Sequence, residues 1–146
     1  MSALKRVLFV CLGNACRSQM AEGFARKYGS DVLIAASAGL TPASGVASDT
    51  IRAMGEKAIN LRDHFPKHVR HLERVKFDLV INMSGYPLPE SIDCEIRGWD
   101  IEDPVCMDYE EHCSIRDQIE RKVMELILEL RRVQRAADLT RFGSAG

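Results

Sequence analysis

The sequence predicts a single α/β domain: a four-stranded parallel sheet with helices on both faces and an anion-binding loop after the first strand. Three observations carry this. Apolar runs of strand length alternate with amphipathic stretches of helical period, the pattern of βαβ units. The first apolar run breaks at Gly13-Asn14, two residues that tolerate positive φ, and a helical pattern follows at once. The 146 residues, 46% hydrophobic and 28% charged, suffice for one core, so the domain is expected to span 1–146.

Val7-Leu8-Phe9-Val10 reads as a strand buried on both faces, since consecutive apolar residues leave no solvent side. From Ser18, Met20, Ala21, Phe24, Ala25 and Tyr28 share one side of a helix. Asp31 to Ser37 is a second buried strand, closed by Ala38-Gly39, and Thr41-Pro42-Ala43-Ser44-Gly45 is a loop. Ser48 or Asp49 is expected to cap a helix turning Ile51, Met54 and Ala58 inward. The stretch from Asn60 to His71 is polar, broken by Pro66, and holds His64, His68 and His71. Phe77 to Met83 is the third strand, and Pro87 and Pro89 enforce a loop to about Glu95. A short fourth strand lies around Ile96, with Trp99 beside it, before Asp103-Pro104 and a loop containing Tyr109. From Ser114 to about Arg135, Ile115, Ile119, Val123, Leu126, Ile127, Leu130 and Val133 form a helical stripe that reads as core. The tail from about Ala137 is expected to fray.

The formal net charge of −1 gives no basic field for nucleic acid or a membrane surface. No apolar leader or spanning run precedes the first strand, which points to the cytoplasm, and five cysteines there are expected as free thiols. The spacings of Cys11, Cys16, Cys94, Cys106 and Cys113 fit no common zinc pattern, so neither metal nor other cofactor is expected. Oligomeric state is not encoded legibly.

The chemistry concentrates at Cys11-Leu12-Gly13-Asn14-Ala15-Cys16-Arg17-Ser18. A tight loop running into a helix N-terminus turns successive N–H groups into one concavity, which binds anions. A cysteine there is held as thiolate by the loop amides, the helix dipole and a neighbouring Arg. Arg17 adds a planar fork that grips two oxygens of a tetrahedral oxyanion. Cys11 is therefore the expected nucleophile, with Leu12 through Ser18 as the phosphate cradle. A leaving oxygen then needs a proton, and Asp103 is the expected general acid because Pro104 biases it to an extended conformation at the active edge of the sheet.

This stretch resembles the signature loop of the low-molecular-weight protein tyrosine phosphatases, and the resemblance runs from the first strand through the last helix. It implies a phosphomonoester hydrolase working through a phosphocysteine, with a phosphorylated protein or small aryl phosphate as substrate. It further implies that Asn14 and Ser18 shape the loop, that Ser37 and His64 brace Asn14 from behind, and that Asp103-Pro104 supplies the acid. Cys16 is the expected redox partner of Cys11, placed to capture an oxidised sulfur. The chain departs from the eukaryotic pattern at Val105-Cys106-Met107, where aromatics that flank a phosphotyrosine ring would stand. The alternative is the thioredoxin-coupled arsenate reductases of the same fold, which the run Trp99-Asp100-Ile101-Glu102-Asp103-Pro104 also resembles. Their relay needs two further cysteines, whereas Met83 and Ser84 occupy the expected place of the first and only Cys94 remains in that segment.

Overall fold

The computed structural model describes residues 4–143. Strand β1 (Lys5–Cys11) leads to helix α1 (Arg17–Gly29), β2 (Leu33–Gly39) and α2 (Ser48–Gly55). Then come β3 (Leu79–Asn82), β4 (Glu95–Gly98) and the long helix α3 (Tyr109–Gly143), with 3₁₀ turns at Val69–Leu72 and Pro104–Cys106. All pairings are parallel in the order β2-β1-β3-β4, so β1 is central and its carboxyl end carries Cys11 into the middle of the sheet edge. In such sheets that edge is where ligands bind.

The two faces are covered unequally. Val7, Phe9 and Cys11 point to the face holding Met20 and Phe24 of α1, Met54 of α2, and Ile115 to Leu130 of α3. Leu8, Val10 and Val80 point to the other, where the Val69–Leu72 turn and the segment around Leu88 and Ile92 take the place of an α-helix.

Several boundaries differ from the sequence expectation. Helix α3 begins at Tyr109, five residues before Ser114, because Asp108 and Glu111 form a reciprocal cap: Glu111 N–H donates to Asp108 Oδ1 at 2.8 Å and Asp108 N–H to Glu111 Oε2 at 3.3 Å. It also continues through the tail expected to fray, as far as Gly143. Val133 is 53% exposed, so the stripe leaves the core before that residue. Helix α2 stops at Gly55, and Ala58, expected on its inner face, instead takes φ 59° in the turn beyond. The residue before α2 is Ala47, without a side-chain cap, so neither Ser48 nor Asp49 has that role.

Candidate active site

What aims the backbone amides of the loop at one point is the fate of its carbonyls. The oxygens of Cys11, Leu12, Gly13 and Ala15 accept from the N–H groups of Leu40, Thr41, Ala43 and Ala47, at 2.8–3.2 Å. The segment after β2 thus straps the outside of the loop. With the carbonyls turned outward, the N–H groups are left facing the concavity at the N-terminus of α1.

Gly39 is required by this closeness. A Cβ there would stand 2.8 Å from the Leu12 carbonyl oxygen and 2.9 Å from the Asn14 nitrogen, both backbone atoms. Gly39→Ala is therefore expected to displace the loop and weaken phosphate binding by roughly tenfold or more, at a cost of about 1–3 kcal/mol for overpacking. Calorimetric titration of inorganic phosphate checks this, and unchanged affinity would mean that the strap yields freely.

Asn14 is the one loop residue in the left-handed region, at φ 50°. Its side chain holds it there. Asn14 Nδ2 donates to Ser18 Oγ at 2.7 Å, while Oδ1 accepts from Lys67 N–H at 3.0 Å and Gln19 Nε2 at 3.2 Å. Because an amide NH₂ can only donate, Ser18 Oγ accepts that bond, and its own proton is free for the Cys11 sulfur 2.9 Å away. Ser18 thereby offers a hydrogen bond that a thiolate accepts.

His64 reaches Asn14 through Gln19. Its Nδ1 lies 3.0 Å from Gln19 Oε1 and 3.3 Å from Glu22 Oε2, two acceptors, so that nitrogen carries the proton. Ser37 is placed otherwise than expected. Its buried hydroxyl has no hydrogen-bond partner, so it does not brace Asn14. Sequence reasoning missed Gln19, whose signal was a polar side chain inside a helix buried from Arg17 to Ala25.

Arg17 is 5% exposed and pinned at both terminal nitrogens. Nη1 donates to the carbonyls of Met83 and Ile101, and Nη2 lies 3.4 Å from Asp103 Oδ2. Its Nε is buried and has no partner, a donor left for an incoming oxyanion. Asp103 accepts from Val105 N–H at 3.2 Å and so caps the Pro104–Cys106 turn beside Arg17.

The remaining thiols sort by position. Cys16 is buried, and that burial pushes its thiol up to about 11, the charges of Asp103 and Cys11 adding while Thr50 and Arg17 oppose. Cys94 lies on the opposite face of the sheet from Cys11 and just before β4, whose first residue pairs with Leu79 and through it with Val7. Five residues of strand separate the two levels, roughly 16 Å at the usual rise. Ser84, where a relay cysteine is expected, is fixed in a turn: its hydroxyl donates to Asn82 Oδ1 at 2.6 Å, and Tyr86 N–H donates back to it at 3.0 Å. Cys106 is exposed on the turn after Asp103, and Cys113 lies on α3 within 3.8 Å of Glu56 Oε2. Of the two rings near Asp103-Pro104 that could flank a phosphotyrosine, Trp99 and Tyr109, Tyr109 is covered by the Arg52 guanidinium at 3.8 Å from its centroid. No group of His, Cys, Asp and Glu suited to a metal ion occurs among the described residues. No helix among the described residues is long and apolar enough to cross a membrane.

Comparison with known proteins places this geometry. The family described as low molecular weight phosphotyrosine protein phosphatase matches residues 6–136. The glutaredoxin arsenate reductase of Synechocystis sp. is 34% identical over 131 residues, covering 87% of this chain and 99% of that protein. Arsenate reductase 1 of Staphylococcus epidermidis is 32% identical over 125 residues, covering 82% and 92%. A solved arsenate reductase in the phosphate binding state superposes with a TM-score of 0.80 at 31% identity, over 87% of this chain and 99% of that one.

Proposed function

The chain belongs to the low molecular weight phosphotyrosine protein phosphatase family, and from that premise we propose that it is a thiol-dependent arsenate reductase with Cys11 as nucleophile. This corrects the expectation of a phosphomonoester hydrolase acting on phosphotyrosine. The two curated relatives and the solved structure described above, each matched over nearly its whole length, are named arsenate reductases. That full-length likeness, on a site built for a tetrahedral oxyanion, carries the reading. The ring positions agree with it: Val105, 70% exposed, follows Asp103-Pro104, and Tyr109 is covered by Arg52.

The steps follow from the geometry. Arsenate enters the amide concavity, where Arg17 Nε finds its missing acceptor. The Cys11 thiolate attacks arsenic, an As–S bond forms, and one As–OH oxygen leaves as water with a proton from Asp103. A second thiol then attacks the Cys11 sulfur. The S–S bond forms, the S–As bond breaks, and its electron pair stays on arsenic, which departs as arsenite. A further thiol reduces the mixed disulfide and restores Cys11.

The settings of Cys16 and Cys94 argue against either as the second thiol, which on this reading comes from outside the chain. Cys16 keeps its proton, and Cys94 is on the wrong face and at the wrong end. A small thiol delivered by a glutaredoxin-type donor meets the need, and a reducing compartment such as the cytoplasm is part of this reading.

The test follows NADPH oxidation with arsenate in two coupled systems, glutathione with glutaredoxin and thioredoxin with its reductase. Turnover is expected with the first and is expected to survive Cys94→Ser. Silence in both systems rejects the reductase reading. Loss of turnover in Cys106→Ser would replace the external thiol by Cys106.

A further inference from the structure

A cleft of about 410 Å³ lies between the carboxyl ends of β3 and β4, and Arg17 forms part of its lining. Met83, Ser84 and Gly85 line it on the β3 side, and Gly98, Trp99 and Asp100 on the β4 side. Both sides are fastened to the site. The Met83 carbonyl and the Ile101 carbonyl, one from each side, accept from Arg17 Nη1. The turn on the β3 side is also held from within. Asn82 Nδ2 donates to the Tyr86 carbonyl at 2.8 Å, and Gly85 takes φ 79°, which glycine adopts without strain.

These fixed segments present apolar side chains to solvent. Tyr86, 57% exposed, continues the turn on the β3 side. Val105 is exposed on the turn whose Asp103 faces Arg17, and its own N–H bonds that carboxylate at 3.2 Å. Charge is one-sided here. From Asp100 to Glu111 the chain carries six carboxylates and no Lys, Arg or His. Asp103 is taken by Arg17, and Asp108 and Glu111 cap α3. Asp100, Glu102 and Glu110 are exposed and pair with no cation among the described residues.

The occupant follows from the chemistry. The closing step above needs a thiol that attacks the mixed disulfide on Cys11. Such a thiol must be partly ionised near neutral pH, and protein thiols of that kind lie in electropositive surroundings. We propose that the cleft and its rim are the docking face for a protein thiol donor with a basic surface around its reactive cysteine. Tyr86, Trp99 and Val105 take the apolar contact, and Asp100, Glu102 and Glu110 face the donor's cations. This rests on the reductase reading and its external thiol. The donor's thiolate attacks the outer sulfur of the mixed disulfide, and the bond to Cys11 breaks. Its electron pair stays on Cys11 as thiolate, and the small thiol leaves joined to the donor by the new S–S bond. Glutathione alone, itself an anion, gains nothing from an acidic rim.

The test measures turnover at saturating arsenate with two reductants: glutathione plus a glutaredoxin, and dithiothreitol alone, which is small and uncharged. Gly98→Phe fills the cleft from a position where an added Cβ meets nothing within 4 Å. In Gly98→Phe and in Tyr86→Ala, kcat/KM for the glutaredoxin is expected to fall on the order of tenfold, with the dithiothreitol rate within about twofold of wild type. In the wild type that kcat/KM is expected to fall several-fold from about 0.05 to about 0.5 M NaCl. Joint Glu102→Lys and Glu110→Lys replacement is expected to abolish this salt dependence. A salt-independent wild type, or cleft variants at the wild-type rate with glutaredoxin, would overturn the docking face. Turnover with dithiothreitol but none with glutaredoxin overturns it as well. Silence with both reductants removes the reductase reading, and this inference with it.

Discussion

Replacing Cys11 by Ser is expected to leave arsenate bound and unreduced. The side chain is 2% exposed and a serine fits its space, so the loop carbonyls stay bonded to Leu40, Thr41, Ala43 and Ala47 and the amide concavity survives. What is lost is the nucleophile. A serine hydroxyl is not ionised near neutral pH, and the bond from Ser18 cannot generate an alkoxide. Nor can it be reduced by a thiol, since the second step requires a sulfur to be attacked and an S–As bond to break. Arsenite release should fall by at least roughly 10⁴-fold, while titration with arsenate or phosphate still shows binding. Appreciable turnover in Cys11→Ser would sink the mechanism.

Arg17→Lys is expected to fail almost as badly, for reasons of shape. One guanidinium serves the carbonyls of Met83 and Ile101 from Nη1, faces Asp103 from Nη2, and keeps Nε for the oxyanion. An ammonium on a flexible stem is a point charge and cannot occupy these directions together. Losing a donor aimed at the developing charge costs on the order of 10²–10³ in kcat. A buried carbonyl left unpaired costs about 1–3 kcal/mol, and each kcal/mol lowers Tm by about 2–4 °C at this size. Kinetics and melting should therefore both show the loss. A variant within tenfold of wild type and with unchanged Tm would mean that charge alone suffices.

Much of the framework was legible because local pattern reports local physics. The apolar run Val7 to Val10 can only be a doubly buried strand, and it is one of the two interior strands of the sheet. The spacing from Cys11 to Ser18 places a thiol, an Asn and an Arg at a strand-to-helix turn. Asp108 and Glu111 carried a capping box in plain view, so the late start expected for α3 was a signal overlooked. Val133 and Ala58 mislead because helical periodicity does not say where a neighbouring element stops.

The sequence by itself determined the α/β class, the parallel sheet, the place of the signature loop at the end of β1, and the family. Tertiary structure decided what those residues do for one another. The segment after β2 turns the loop carbonyls outward, and Met83 and Ile101 hold the Arg17 fork. It also withdrew Ser37 from the support expected of it and set Cys94 on the far face. The physical reason is a difference of range. Strand and helix are written in near-neighbour periodicity and backbone preference, whereas a hydrogen bond between distant segments exists only once sheet register and helix packing have set both its ends.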